Sequence, residues 1–510
     1  MPIIPELKKT VIVVHRWMGT TLCLLFLLWF ASGIGMMYWT YPSVSDEDRL
    51  RHDPPLDARK INVAPEEAYA DLETDQRVDG ARIVMLDGRP AYRFQIGQRE
   101  SVVYADTGEK QAGCSLELSG RIASAWTGER TAGQVETHTD QDQWTIPGNF
   151  KALLPLRKYS WPDGRQVYVS TVTCQVEQDS TRRLRLNAYL SAIPHWLYFT
   201  PIRRHTQQWS HAVISTSGLG TVTAVLGLVI GIWSYSPSKR YRHAHAPSSI
   251  PFAGMKRWHM ILGLTFGVLT CTWVFSGILS MDPFPSLQQG DPDMGKFKAE
   301  EALRGDAPPL SSFAAKPPSR ALQETGASFH ARELRLTSVM GQSVYLATAN
   351  PQETLIVPVL GRPATEFDRK EIVDVLRVAG RPFVITEVRL VTQYESYYLD
   401  RHKLLPLPVI LVRFSDPEQS TYYIDPKTAR IIEGYNSHSR WNRWLYHGLH
   451  SMDLPWLYKY RPSWDVLLLL LLTGGTALCV TSLLLSWNVL RVRSAASLGG
   501  NSKPAAPHDK

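Results

Sequence analysis

The chain has only five cysteines in 510 residues. None sits in a Cys-x-x-Cys-His motif, which excludes covalent attachment of a c-type haem. There is no Gly-x-Gly-x-x-Gly fingerprint, no His-Glu-x-x-His and no Gly-x-Ser-x-Gly. Their absence removes a dinucleotide-binding domain, a zinc-peptidase helix and a hydrolase nucleophile elbow. One stretch lacks acids altogether: residues 236–258 carry Lys239, Arg240, Arg242, Lys256 and Arg257 and no Asp or Glu.

Four apolar runs stand out, at about 15–38, 211–235, 259–281 and 464–487. Each is long enough to cross a bilayer, for which about 20 residues suffice. The sequence between them is ordinary and polar, so mean hydropathy is slightly negative. The first run is longer than a signal-peptide core and no small-residue cleavage site follows it, which predicts a retained span. Lys and Arg near span ends mark the cytoplasmic side. They cluster at Lys8, Lys9 and Arg16, in the 236–258 loop, and at Arg491, Arg493, Lys503 and Lys510. Both termini (1–38 with the first span, and 488–510) and that loop are therefore expected inside, and 39–210 and 282–463 outside. The formal charge of +8 comes from the inner segments and implies no nucleic-acid partner.

The spans repeat. His15, Gly19, Thr21, Leu25, Trp29, Ser32, Gly33, Ile34 and Met37 match His259, Gly263, Thr265, Leu269, Trp273, Ser276, Gly277, Ile278 and Met281 without a gap. His195 stands 14 residues before Trp209, and His450 stands 14 before Trp464. The segment LLPL recurs at 153–156 and 404–407. The expected fold class is an α+β membrane protein. Its four-helix transmembrane bundle comes from a duplicated two-span unit, with the halves related about the membrane normal.

In the first outer segment VAPEEAYADLE predicts a helix, and ARIVML, PAYRFQIG and SVVYAD predict three strands. Further strands are expected near RKYSW and QVYVSTV, and TYYIDPKTARII closes the second segment. The helix and three strands ending on Tyr-x-Asp-x-Thr-Gly resemble the PepSY domain; residues 319–366 look like a degenerate copy. The resemblance implies two extracytoplasmic α+β PepSY-like domains. Cys114 and Cys174 both lie outside, where a disulfide persists. They are expected to be bonded, the alternative being two buried free thiols.

The histidines form a constellation. His15 and His259 fall at the inner ends of spans one and three, and His195 and His450 at the outer ends ahead of spans two and four. Ionisable groups beside spans are costly and are functional candidates by default. A histidine pair facing across a bundle supplies both axial nitrogens to a haem iron. Two pairs predict two haems, one per membrane face. At about 100° per residue Gly19 and Gly33 share the His15 face, leaving room for a flat macrocycle, and Trp29 lies roughly 20 Å along the helix. The bland alternative is that the histidines are interfacial polar residues and the glycines serve helix packing. His447, three residues before His450, aligns with Ala192 and is an alternative outer ligand or a supporting group. His211 is a weaker candidate; His205, His243 and His245 read as interfacial or solvated.

HRWMG opening span one, PHWLYF before span two and LYHGLHSMDLP before span four resemble the PepSY-associated transmembrane family. Its members include iron-uptake proteins of the bacterial inner membrane, among them dihaem ferric-siderophore reductases. The resemblance implies haem b, two per chain, held by His15, His195, His259 and His450 with His447 in reserve. It also implies a multi-pass inner-membrane protein, surrounded by membrane lipid, that reduces a ferric siderophore or ferric chelate in the periplasm. The electron donor would be quinol or a cytoplasmic reductase. Alternatives are a non-enzymatic PepSY protein that regulates a protease or signals, or a transporter.

Overall fold

The computed structural model describes residues 3–498 apart from 73, 75, 98, 129–132, 244–245, 282–291 and 307. His245, Lys503 and Lys510 fall outside the described residues. The chain forms two compact units. Met1–Tyr41, Leu186–Pro283 and Trp444–Lys510 make one; Pro42–Arg185 and Phe284–Arg443 make the other.

Among the described residues the first unit contains four helices long and apolar enough to cross a membrane, Ile3–Met36, Thr206–Ser234, Gly254–Leu279 and Arg461–Leu498. Each packs on two neighbours. The first and third both contact the second and fourth, so the first and third stand diagonally opposed. Leu22, Phe26, Phe30, Trp273, Leu468 and Leu472 fill the interior. Close packing there needs glycine. A Cβ at Gly475 would collide with the Phe30 ring, and one at Gly474 with Phe266. The helices overrun the expected runs at both ends of the chain. Val11 to Val14 are apolar and helical, so His15 sits well inside the first helix rather than at its start. Short helices, Ala192–Trp196 and Thr200–Arg203, precede the second long helix, and Pro455–Lys459 precedes the fourth.

The second unit is built from antiparallel strands. Its first seven are β1 (Gly80–Leu86), β2 (Arg89–Ile96), β3 (Arg99–Tyr104), β4 (Gln134–His138), β5 (Leu156–Ser160), β6 (Gln166–Ser170) and β7 (Val176–Ser180). A two-stranded hairpin, β8 (Tyr241–His243) and β9 (Ala246–Ser248), belongs to the first unit. The second unit resumes with β10 (Glu333–Val339), β11 (Gln342–Asn350), β12 (Glu353–Pro358), β13 (Ile385–Val391), β14 (Val409–Phe414), β15 (Thr421–Asp425) and β16 (Arg430–Tyr435). Helix Pro65–Ala70 precedes β1–β3, and helix Pro318–Glu324 precedes β10–β12. β1 pairs with β10, giving one six-stranded sheet, β12-β11-β10-β1-β2-β3, that draws three strands from each segment. One face carries a shared core with Ile83, Tyr92, Phe94, Leu334 and Tyr345 at 0 % exposure. Phe94→Ala there would cost about 3–5 kcal/mol. The four-stranded sheets β4-β5-β6-β7 and β13-β14-β15-β16 complete the unit. Cys114 and Cys174 are disulfide-bonded across 60 residues.

Candidate functional site

Two histidine pairs face one another inside the bundle unit. His15 and His259 project from the diagonal first and third helices, with ring centroids 6.4 Å apart. His195, on helix Ala192–Trp196, meets His450 with centroids 5.9 Å apart. A metal held by two imidazole nitrogens at about 2 Å each sets the centroids about 6 Å apart. Both pairs match that spacing.

The opposite ring nitrogen is engaged in all four. His15 Nδ1 lies 3.0 Å from the Thr223 carbonyl of the second long helix. His259 Nδ1 lies 3.0 Å from the Thr481 hydroxyl of the fourth, with the Leu478 carbonyl in reach. His195 Nδ1 is 3.2 Å from both the Ser32 hydroxyl and the Trp29 carbonyl. His450 Nδ1 is 2.8 Å from the Ser276 hydroxyl. Each of those hydroxyls already donates its own proton to a carbonyl: Ser32 to Trp29, Ser276 to Trp273, Thr481 to Leu478. The hydroxyls must therefore accept, so Nδ1 carries the proton in every ring. That tautomer leaves the Nε2 lone pair free, and an outer hydrogen bond of this kind orients a metal-ligating histidine. Burial also holds the His195 pKa down at about 4, and burial together with His195 holds His450 at about 3, so both rings are neutral.

Space accompanies the His15–His259 pair. A cavity of about 230 Å³ opens beside it, walled by apolar side chains and by Gly19, Gly227, Gly263 and Gly267. A Cβ at Gly19 would meet nothing within 4 Å, and at Gly263 only Leu478 at 3.8 Å. A Cβ at Gly227 would press on His15 Cε1 at 2.7 Å. A carbon added at Gly33 would strike Leu472 at 2.9 Å and come within 3.7 Å of His195 Cε1, and one at Gly277 would strike Ser217 at 2.9 Å, so both positions are closely packed. Seventeen positions separate His15 from Ser32, and His259 from Ser276, which places the two pairs about 25 Å apart along the bundle. Trp29 and Trp273 belong to the second pair. Their carbonyls reach His195 and His450, and the Trp273 indole donates to the Leu449 carbonyl at 2.9 Å.

His447 turns elsewhere: its Nδ1 lies 3.8 Å from Asp453 and its side chain is 49 % exposed. His205 and His211 are exposed. Ser32 and Ser276 were visible in the sequence only as matched positions, and Thr481 not at all. Thr223 acts through its main-chain carbonyl, which leaves no side-chain signature. Among the described residues no group of three or more His, Cys, Asp and Glu is placed to hold a metal ion; an axial haem site requires two. At His15 and His259 the paired imidazoles stand beside an apolar, glycine-lined cavity, a donor set and lining that fit haem; His195 and His450 offer the same pair of donors. No family model matches the chain, and no curated protein matches it.

Proposed function

We propose that the protein is a dihaem b-type electron-transfer protein of the bacterial inner membrane that reduces a ferric siderophore or another ferric chelate on the periplasmic side. The observation that carries this reading is the spacing of the two histidine pairs together with the tautomer imposed on all four rings. His15 and His259 would hold one haem, His195 and His450 the other. Haem, when bound, supplies one-electron redox chemistry at its iron.

The chain's own residues bind, orient and insulate. Four Nε2 lone pairs are presented, and four Nδ1–H bonds to carbonyls and hydroxyls fix the ring planes. Phe26 and Phe30, in the apolar core of the bundle, fall between His15 and Ser32 on the first helix and so separate the two pairs. The substrate logic is that of ferric iron in hard oxygen ligands: one added electron gives ferrous iron, which those ligands hold less tightly. The bundle and soluble unit are read as two copies of a span–domain–span element of the PepSY-associated transmembrane kind. The like succession of helix and three strands at Pro65–Tyr104 and Pro318–Pro358 supports that reading.

The test is the absorption spectrum of the full chain purified from haem-replete cells. A Soret band with a sharp reduced α-band is expected; colourless protein would refute the proposal.

A further inference from the structure

The cavity beside His15 and His259 is charged at one end only. Its deep wall includes Cys23, Phe26, Thr270 and Cys479, all buried, with the Thr270 hydroxyl donating to the Phe266 carbonyl at 3.0 Å. At the other end stand Arg16 and Lys256, both exposed. Arg16 follows His15 directly on the first helix. Lys256 precedes His259 by three positions, one turn away on the same face of the third long helix. Cys23 and Phe26 lie seven and ten residues beyond Arg16, about 10–15 Å deeper along the helix.

Arg16 and Lys256 are joined by no acid: among the described residues no Asp or Glu lines this cavity. The acids described in the whole unit are Glu6, Asp453 and Asp465. Glu6 precedes Arg16 by ten residues, about 15 Å along the first helix. Asp453 stands by His447, and Asp465 lies 16 residues before Thr481 on the fourth long helix, so both belong to the His450 end. Nor do the two cations follow from the repeat. Arg16 matches Met260 and Lys256 matches Ile12, and both of those apolar mates line the cavity as well. The histidines are symmetric and the charges beside them are not. Each helix supplies one cation, from a different position. Cations are common at the inner ends of spans, but that tendency does not direct both of them to one cavity wall.

Haem is apolar except along the edge that carries its two propionates. An ionised carboxylate is costly to bury in apolar surroundings without a partner, and a guanidinium or ammonium supplies that partner. Resting on the haem reading of this pair, we propose that Arg16 and Lys256 receive the propionates of the haem held by His15 and His259. Its carboxylate edge then faces the exposed end of the cavity and its apolar edge faces Cys23 and Phe26.

The experiment compares haem with haem dimethyl ester, whose propionates carry no charge. The full chain with His450→Ala, which keeps the His15–His259 pair, is purified in detergent from haem-depleted cells and titrated with each compound by Soret absorbance. Adding Arg16→Gln and Lys256→Gln together should weaken haem about tenfold, roughly threefold for each exposed ion pair, and leave the affinity for the ester unchanged. Arg16→Lys with Lys256→Arg should keep the affinity for haem. Without either change, raising sodium chloride from about 0.05 to about 0.5 M should weaken haem and spare the ester. Equal effects on haem and ester, of the substitutions or of salt, would overturn the proposal and leave the haem reading standing. A chain that binds neither compound would refute both.

Discussion

The Ser276 hydroxyl gives its proton to the Trp273 carbonyl at 2.7 Å and so receives the His450 Nδ1–H at 2.8 Å. Ser32 repeats the arrangement with Trp29 and His195. A hydroxyl used this way cannot reverse its role, and the Nε2 edge of each ring is left to a ligand. If that is its purpose, Ser276→Ala should leave both haems bound while weakening the hold on one by about 10–100-fold. Redox titration with haem-loss kinetics on the variant checks this. An unchanged midpoint potential and unchanged loss rate would assign Ser276 to packing alone.

The pairs should separate in single mutants. Replacing His15 or His259 by Ala is expected to remove one haem, and replacing His195 or His450 the other. With the pairs about 25 Å apart along the bundle, no ring from one can substitute in the other. His447→Ala should keep two haems, because its ring is turned to Asp453. Haem counts and reduced-minus-oxidised spectra on the five variants decide it. Loss of a haem from His447→Ala with retention in His450→Ala would move the ligand to His447.

Much of this was legible in the sequence, for identifiable reasons. The four long helices follow from apolar length alone. The pairing of His15 with His259 follows from a register in which histidine, tryptophan and glycine repeat together. Strands β1–β3 follow from alternation broken at the Asp87-Gly88 turn. Two features were hidden. The joining of β1 to β10 depends on edge strands more than 200 residues apart, which no local pattern encodes. The Thr223 carbonyl contact with His15 involves main chain, which every residue possesses.

The Cys114–Cys174 bond closes a 60-residue loop in the second unit. Constraint of the unfolded chain over a loop of that size is worth about 4 kcal/mol. Thiol labelling of unreduced, denatured protein should spare both residues and modify Cys23, Cys271 and Cys479. Reduction should lower the melting temperature of the second unit by several degrees. Labelling of Cys114 or Cys174 before reduction would count against the bond.

Burial raises the Asp53 carboxyl to about 6, against an unperturbed value of 3.8, with Arg93 and Arg82 opposing the rise. Between those values the folded state binds the proton more tightly than the unfolded chain. Stability from this group therefore falls as pH rises from about 4 to about 6 and stays low above it. Asp53→Asn should raise the melting temperature by about 2–6 °C at pH 7.5 and change it little near pH 4. A shift of the same size at both pH values would show that the charge is not the cause.

The number of haems held by the two histidine pairs is the most direct measure of what those pairs do. Pyridine haemochrome content, measured against protein mass on the purified full chain, should give two b-type haems per chain. Electron paramagnetic resonance of the oxidised protein should show only low-spin, bis-imidazole signals. A single haem per chain would leave one pair without its assigned role, and none would contradict the reading of both.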